Sequence, residues 1–573
     1  MRRRMRRRMR RKLARGLARA RVARRIRRGA AAAACGALAL ALAALGAAPA
    51  HAQSEPTASG AATSSSILPI RDGTLELSLA EAVRLAIERS LDVELLRYDP
   101  LISDKNYGAA WGAFDPRIYG EGGYQNIETP TASQILGNVL LTQEEWSGDA
   151  GLQGLIPWLG GSYKVGYQGS EIVTNSRISA LSPEFRAGYL ATVQLPLLRG
   201  LFWSEPWTLV RLARIGTDAS RYQFTADLMD VVQRTEDVYW SLIAAQDERA
   251  VAEKSLETAR ALLEQTQAQF EVGVVSRVEV VQAEAGVADR EFSLIRAQAI
   301  ERNTQDALID VVLGPYLEPE TEIQVSATDR PEEITVREAS AAAATEHAMA
   351  RRPELQLARK NIERRKVEVA SASNDRLPQL DVIGSYGKSG LSGRVNPDCV
   401  SFTTGGACSE PPGIPPRFGA ADRDLFNGRG AESYTIGGVL SIPLGNNTAR
   451  NEHDRAKLEL RRAETSLRRL EQSIVSDIRR AARNLASAVQ GIEAAERAEA
   501  AAEEQLRAER VRLEHGESTP FDVLQREEDL RRAQGQKILA EQAYHNSISQ
   551  LDRSQGTILE RHQIVVEQAA ALR

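Results

Sequence analysis

The chain has 573 residues with 73 Lys and Arg against 76 Asp and Glu, which gives a formal net charge of −3. Sixteen of the basic residues lie in the first 28 positions, so a chain that loses this segment carries 57 basic against 76 acidic side chains, a formal charge of −19. This acidic composition excludes an ordinary nucleic-acid-binding protein, which needs clustered Lys and Arg to meet the phosphates.

The N-terminal segment predicts export from the cytoplasm. A basic run to Arg28 precedes an apolar stretch and the small-x-small sequence Ala50-His51-Ala52. This order is typical of a secretory signal peptide, here residues 1–52, and we expect the Ser-, Thr- and Ala-rich leader after it, residues 53–75, to be disordered. A retained membrane anchor is the alternative, disfavoured because the apolar stretch is short and rich in Ala.

A helical segment occurs twice in the chain. Ser78 and Glu81 form a capping-box pattern, and apolar residues follow helical spacing from there to about Trp111. A counterpart covers residues 340–374. We therefore predict two structural repeats, residues 76–330 and 331–573.

Behind the first helical segment of each repeat the apolar period changes to two, which predicts strands with one apolar face. They fall within about 117–197 and about 379–444, and each is about as long as a tilted strand that crosses a bilayer. Residues 146–170 are a candidate for a further hairpin, so the strand count stays open. Strands that cover a soluble core are the alternative, disfavoured because the helices are too polar to supply the covering layer.

The few strands of one chain would leave open edges, which lipid excludes because their backbone groups would be unpaired. We therefore expect several chains to close a barrel together. Four prolines are assigned to the helix-to-strand junctions, where proline ends a helical hydrogen-bond ladder: Pro116, Pro196, Pro378 and Pro443.

Two cysteines follow the predicted signal peptide, Cys399 and Cys408, in a loop rich in Gly and Pro. In an oxidising compartment we predict one disulfide between them, with two free thiols as the alternative.

Two very long helices follow the strands, residues 204–272 and 446–515, each about 100 Å at 1.5 Å per residue. Shorter return helices cover residues 277–313 and 520–556. The second long helix has a narrow apolar seam that steps by threes and fours, typical of coiled-coil packing. The seam consists of Leu467, Leu470, Ile474, Ile478, Ala481, Leu485, Ala488, Ile492, Ala495, Ala498, Ala502 and Leu506.

Each long helix and its return helix are joined by a tip with the same short pattern. A glycine, a polar residue three positions later, an acid and a glutamine follow in that order: Gly273, Ser276, Glu279 and Gln282 in the first copy, and Gly516, Thr519, Asp522 and Gln525 in the second. We expect each glycine to reverse the chain in a left-handed turn and each polar residue to cap the return helix.

In their order and lengths these features resemble the TolC-like outer membrane efflux proteins over almost the whole chain after residue 52. The motifs that carry the resemblance are Leu79-Ala-Glu-Ala-Val-Arg-Leu-Ala, Leu195-Pro-Leu-Leu-Arg-Gly200, Tyr239-Trp240-Ser-Leu-Ile-Ala-Ala-Gln and both tips. The resemblance implies an α+β membrane protein built from a duplicated helix-strand-strand-long helix-helix unit. Three chains with four strands each would form a twelve-stranded β-barrel in the outer membrane, continued by an α-helical coiled-coil barrel across the periplasm.

The resemblance also implies partners: a periplasmic adaptor (a membrane fusion protein), an inner-membrane pump and outer membrane lipid. Such channels pass small molecules or unfolded proteins outward and perform no chemistry. The residues agree, because the six histidines have no metal-ligand spacing and neither a phosphate loop nor a nucleophile motif is present. We expect no enzyme activity, no cofactor and no nucleic-acid partner.

In the resembled family, rings of acidic residues close the periplasmic mouth. The first ring acid aligns with Asp522, whose equivalent in the first repeat is Glu279, and Gln525 stands where the archetype has a second acid. Leu513 and Ser518 stand where the archetype has an aromatic and an arginine latch, so this chain has neither of those two latch side chains. Helix capping is the alternative role for Asp522. Glu527 and Glu528 are expected on a solvated face.

The resemblance puts adaptor docking at the exposed tips, on Gly273, Val274, Ser276, Gly516, Glu517 and Thr519. Small-molecule or metal efflux and type I protein secretion both remain open. A periplasmic coiled-coil scaffold without transport is the alternative of a different class, and it predicts a protein that is extracted without detergent.

Overall fold

The computed structural model describes residues 70–71, 74–132, 140–313, 323–329, 341–401, 405–409, 417–426 and 430–566. The predicted signal peptide lies outside these residues, as does most of the predicted leader. The described chain begins with a strand at Ile70, so secondary structure starts a few residues before the predicted end of the leader.

Each repeat opens with two helices where the sequence predicted one. They cover Leu79–Arg89 and Leu91–Trp111 in the first repeat, and Ala341–Arg351 and Pro353–Asp375 in the second. The break falls at Ser90 and at Arg352, both with extended backbone (ψ 134° and 123°). Proline disfavours a helical conformation in the residue before it, which accounts for the break at Arg352.

A small three-stranded sheet lies beside the first long helix. β1 (Ile70–Arg71) pairs antiparallel with β2 (Thr74–Leu77), which pairs in parallel with β7 (Gln324–Ala327). The Tyr239 hydroxyl lies 3.0 Å from the Leu77 carbonyl oxygen and 3.0 Å from the Asp329 carboxylate. These hydrogen bonds hold the small sheet against the helix.

The main sheet has six antiparallel strands in the order β3-β4-β5-β6-β8-β9. Four come from the first repeat, β3 (Arg117–Pro130), β4 (Leu140–Leu155), β5 (Ser162–Thr174) and β6 (Leu181–Pro196). Two come from the second, β8 (Gln379–Val395) and β9 (Ala431–Ser441). The implied count of four strands per chain is therefore wrong, because residues 146–170 lie in two full-length strands of the sheet.

The two faces of the sheet differ in polarity. The apolar face is richer in large apolar side chains but also carries Glu144, Glu171, Lys388 and Glu432, and the polar face also carries Ile127, Leu190 and Val439. Paired positions in the register share a face, and the apolar face carries large side chains that are exposed in the single chain: Ile118, Tyr124, Trp146, Leu152, Val165, Val193, Tyr386, Tyr434 and Ile436. The opposite face carries Glu121, Asp149, Gln168, Thr192, Ser385 and Thr435. A short helix, Phe418–Phe426, covers part of the apolar face, where Ala421 and Leu425 contact Ala187 and Tyr167.

The first long helix is Glu205–Glu271 and the second is Asn447–Glu514, of 67 and 68 residues. Their return helices are Arg277–Leu313 and Pro520–Gln555, and a short helix, Ile558–Arg561, follows. The predicted seam of the second long helix is mostly buried, with Ile474 and Ile478 fully inaccessible, whereas Ala498 is exposed. Helix packing therefore follows the periodicity of the sequence.

The helix-to-strand junctions contain the four prolines and a group of aromatic rings. Pro116 and Pro378 directly precede β3 and β8, Pro196 ends β6, and Pro443 follows β9. The ring of Trp207, in the first turn of the first long helix, lies 5.6 Å from Trp111, 6.4 Å from Phe114 and 6.0 Å from Trp158. This cluster joins two helices to the sheet.

None of the helices in the described part of the chain combines the length and the hydropathy that crossing a membrane requires.

Candidate functional site: the paired hairpin tips

The first tip (residues 272–276) and the second tip (residues 515–519) have the same backbone geometry. Gly273 has φ +79° and Gly516 has φ +75°. In the first tip Val274 N–H donates to the Gln269 carbonyl, and in the second Glu517 N–H donates to the Arg512 carbonyl, both at 2.9 Å. Glycine adopts this left-handed conformation without the strain that a Cβ would add, which explains its use at both tips.

The second return helix begins with a reciprocal capping box. The Thr519 hydroxyl accepts from Asp522 N–H at 3.3 Å, while Thr519 N–H donates to Asp522 Oδ2 at 3.2 Å. In the first tip Ser276 Oγ lies 3.3 Å from Glu279 Oε1. Asp522 therefore caps the second return helix within the single chain.

Capping also fixes the charge of Asp522. Hydrogen bonds from Thr519 to the carboxylate lower the pKa of Asp522, although its side chain is exposed. All of these bonds end on Oδ2, and within the described chain Oδ1 has no hydrogen-bond partner. Asp522 therefore presents one free carboxylate oxygen and a stable negative charge at the second tip.

The other predicted gate residues differ in exposure. Gln282 and Gln525 are exposed on the return helices, one turn beyond Glu279 and Asp522. Leu513 packs against a buried cluster of Ala259, Leu262, Leu506, Val523 and Leu524. Ser518 Oγ donates to Glu509 Oε1 at 2.5 Å, so this hydroxyl bonds within its own hairpin.

Glu527 is buried, and the expectation of a solvated face is wrong. Its side chain is 6% exposed and accepts a hydrogen bond of 2.9 Å from Arg510 across the second hairpin. Burial raises the pKa of Glu527, and the bond from Arg510 opposes that rise. Arg510 lies five residues before the tip and Glu527 eight after it, on facing helices, and opposite charges at this spacing are a signal by which the sequence could have indicated the pair.

Ion pairs join the two hairpins near their tips. Arg290, 7% exposed on the first return helix, lies 3.1 Å from Glu528 on the second. Arg531 lies 2.8 Å from Glu528 and 3.7 Å from Glu248 on the first long helix. The bonds from Arg531 lower the pKa of Glu528. Sequence reasoning missed these partners, because residues this far apart in the chain show no local pattern.

The proposed docking residues lie at the ends of the hairpins. Val272 and Val274 are 75% and 72% exposed in the first tip. Gly516, Glu517 and Thr519 are exposed in the second tip. The first tip is therefore apolar at its surface and the second is acidic and polar.

Cys399 and Cys408 form a disulfide with 5.5 Å between their Cα atoms. It lies in the connection between β8 and β9, beyond the end of β8 that is remote from the helix-to-strand junction. In the described ranges no group of three or more His, Cys, Asp or Glu side chains is arranged to hold a metal ion.

Comparisons with known proteins agree on one family. The family model described as "Outer membrane efflux protein" matches residues 149–312 and 344–557. The chain is 28% identical to the alkaline protease secretion protein AprF of Pseudomonas aeruginosa over 247 residues, which cover 42% of this chain and about half (49%) of AprF. It is 24% identical to the outer membrane protein TolC of Vibrio cholerae over 409 residues, 68% of this chain and 85% of TolC.

Solved structures share the fold. The CmeC outer membrane channel of Campylobacter jejuni superimposes with a TM-score of 0.59 at 17% identity, over 86% of this chain and 88% of CmeC. The mixed helical and strand architecture is thus that of known outer membrane channels.

Proposed function

Because the chain belongs to the outer membrane efflux protein family, we propose that three copies form one export channel gated at its periplasmic tips. The family consists of outer membrane transport channels with a large periplasmic part, and this chain has the same location. The proposal concerns the assembly, the gate and the partners.

The two edge strands of the main sheet support the proposal that several chains form one barrel. β3 and β9 are its outermost strands, and each has one neighbouring strand in the chain. An open edge leaves backbone N–H and C=O groups unpaired, which costs several kcal/mol per group in hydrocarbon. Pairing β9 of one copy with β3 of the next removes every open edge once the ring closes.

Exposed apolar side chains on the helices support contacts between copies. Phe292 and Ile295 lie on the first return helix, Leu539 on the second, and Leu458 on the second long helix, and each is more than 60% exposed in the single chain. Burying such residues against neighbouring helices is favourable by roughly 1.5–3 kcal/mol each. Their spread over several helices fits a tunnel wall shared by three chains.

Asp522 is proposed as the gate acid. In a threefold assembly it would contribute three carboxylates, each with a free Oδ1, to one ring at the mouth, with Gln525 one turn further along the helix. Glu279 and Gln282 would supply the matching positions from the first hairpin. Such a ring favours cations and is blocked by multivalent ones.

The ion pairs between the hairpins are proposed as the latch. Leu513 and Ser518 stand at the archetype's latch positions. In this chain Leu513 packs against an apolar cluster shared by both hairpins, and Ser518 bonds within its own hairpin. Near the tips, ion pairs of Glu528 with Arg290 and of Arg531 with Glu248 link the second hairpin to the first, beside the apolar cluster that the two hairpins share. Opening the mouth by moving one hairpin away from the other would have to break them.

A periplasmic adaptor is proposed to dock on the tips. Val274 and its exposed neighbour Val272 offer an apolar contact, and Glu517 and Thr519 offer polar ones. Gly273 and Gly516, with Ser276 beside the first turn, keep these contacts at the end of each hairpin. An inner-membrane pump would then complete the export system.

Two classes of cargo are compatible with the proposal. Small-molecule efflux is favoured by the family description, and type I protein secretion is favoured by the likeness to AprF, which is named for the secretion of alkaline protease. The periplasmic scaffold is disfavoured, because the family match covers both structural repeats.

Light scattering and conductance measurements on the purified protein test the proposal. We expect a protein mass of three chains in detergent and ion conduction after insertion into planar bilayers. A water-soluble monomer or dimer without conductance would leave the scaffold and refute the channel.

A further inference from the structure

The main sheet of this chain has two strands more than the resemblance implied, and we infer that three copies close an eighteen-stranded barrel with a wide outer exit. The inference rests on the proposed threefold assembly. It adds that the outer exit admits cargo too bulky for a twelve-stranded barrel, and that the periplasmic tips set the size limit.

The hairpin of β4 and β5 has the two faces of a barrel wall. In the register Trp146 pairs with Tyr124, and Leu152 pairs with Ile118 on one side and Val165 on the other. All five side chains lie on the apolar face, which also carries Glu144 and Glu171 farther from the turn of the hairpin. A hairpin that lay in water or inside a pore would be polar on both sides, so this pattern favours a position between lipid and lumen.

Both sides of the hairpin are paired without a break. β4 pairs with β3 from Leu140 to Gln153, and β5 pairs with β6 from Ser162 to Ile172, with no register shift in either ladder. The hairpin therefore separates β3 from β6 and widens the sheet.

The turn between β4 and β5 is fixed against the start of the first long helix. Its Trp158 ring lies 6.0 Å from the Trp207 ring. The backbone at Gly161 approaches β6 so closely that a Cβ there would lie 2.8 Å from the Gln194 carbonyl oxygen. This contact requires glycine and anchors the periplasmic end of the hairpin.

A second anchor lies on the polar face. Tyr119 of β3 donates to Asp149 of β4 at 3.1 Å, and Lys164 of β5 lies 3.3 Å from the same carboxylate and 4.2 Å from the centre of the Tyr119 ring. A Cβ at Gly151 would lie 2.8 Å from the Tyr119 hydroxyl, so glycine leaves room for this ring. The three strands are thus tied on the lumen side as well.

Strand number sets the diameter of a barrel. With about 4.8 Å between strands and a tilt of about 40°, eighteen strands give a backbone diameter of about 36 Å, against about 24 Å for twelve. Barrels of 16–18 strands enclose an open aqueous channel. Small molecules pass either barrel, and the resembled twelve-stranded channels also pass unfolded proteins, so the additional width matters only for bulkier cargo.

Crosslinking between copies tests which strands meet. Tyr434 of β9 and Tyr124 of β3 are exposed on the apolar face, each seven residues from the helix end of its strand. Tyr434→Cys combined with Tyr124→Cys is treated with a flexible bismaleimide, and the matched control combines Tyr434→Cys with Val165→Cys on β5. Cys399 and Cys408 do not compete, because they are bonded to each other.

We expect covalent dimers and trimers from the β3–β9 pair and none from the β5–β9 pair. The reverse result, in a protein that is trimeric by light scattering, would overturn the wide barrel and leave the channel intact. A monomer would refute both. As a second readout, poly(ethylene glycol) added on the barrel side alone should enter up to the sizes that general porins admit, and exclusion at smaller sizes would overturn the inference.

Discussion

At the residue scale, Asp522 combines a local and a proposed collective role. Its Oδ2 is used in the capping box and its Oδ1 is free, so replacing the charge need not disturb the turn. We expect Asp522→Asn to keep the fold and to lower the cation-to-anion permeability ratio several-fold, because the proposed threefold channel would lose three carboxylates. Reversal potentials in a salt gradient measure this ratio.

The matched control for that experiment is Glu517→Gln, which removes an exposed charge from the same tip. An equal loss of selectivity in both variants would show that the total charge of the tip matters and would remove Asp522 from the gate.

His545 predicts a pH dependence of stability. Its ring stacks on Trp240 with 3.5 Å between centroids, and burial lowers its pKa to about 4, helped by nearby Arg561 and opposed by Glu236. The unfolded chain binds a proton near its ordinary pKa of about 6.5. The free energy of unfolding therefore falls as pH decreases from about 6.5 towards about 4, by at most about 1.4 kcal/mol per pH unit.

His545→Phe keeps an aromatic ring on Trp240 and removes this titration, so we expect a shallower loss of stability between pH 7 and pH 5. Denaturant unfolding in detergent at both pH values measures it, with His347→Gln, at an exposed position, as the control. Asp237, whose pKa burial raises to about 6, changes the free energy of unfolding in the opposite direction. The stability that its protonated form contributes is lost as pH rises from about 3.8 to about 6. It is present in every variant and cancels in the comparison.

At the element scale, the sequence predicts the conformation of the two tips in detail but not the contacts between the hairpins. Glycine, a capping residue and an acid lie within a few positions, so local chemistry decides the turn. Arg290 and Glu528 belong to different repeats and meet only because the two hairpins pack side by side. Glu527 looked solvated because its partner Arg510 lies on the other helix of the hairpin.

Glu528→Gln tests the proposed latch. The change weakens the bonds to Arg290 and Arg531 and leaves Arg290, which is buried, without its carboxylate partner across the hairpins; loss of such a bond costs about 1–3 kcal/mol. We expect more frequent and longer openings in single-channel records. Glu514→Gln, at an exposed position on the same hairpin, is the control. Unchanged opening by Glu528→Gln would exclude the latch.

At the scale of the whole molecule, the two faces of the main sheet predict opposite tolerance to charge. Ile436 is 82% exposed on the apolar face, and Thr435 lies next to it on the polar face. An Arg on the lipid side of a barrel costs about 2–4 kcal/mol near the bilayer midplane. We expect Ile436→Arg to reduce the yield of folded trimer in outer membranes and Thr435→Arg to leave it unchanged. Equal yields would contradict this orientation.

The number of strands is the main difference between the sequence prediction and the structure at this scale. β8 and β9 alternate clearly, and their existence followed from the sequence. β4 and β5 contain many glycines and small polar residues, so their period of two is weak and residues 146–170 stood only as a candidate hairpin. Continuous pairing with β3 and β6 stabilises them as strands. Pairing between segments that are distant in the sequence cannot be predicted from a local pattern of residues.

The sequence by itself determined the features that depend on neighbouring residues: the duplication, the long amphipathic helices, the glycine turns and their caps, and the family. Only the tertiary structure decided the six-stranded sheet, the breaks in the opening helices, the burial of Glu527 and the ion pairs of Arg290 and Arg531. The physical reason is the range of the forces. Helix periodicity and backbone conformation act within a few residues, whereas strand pairing and burial of charge depend on which distant segments come into contact.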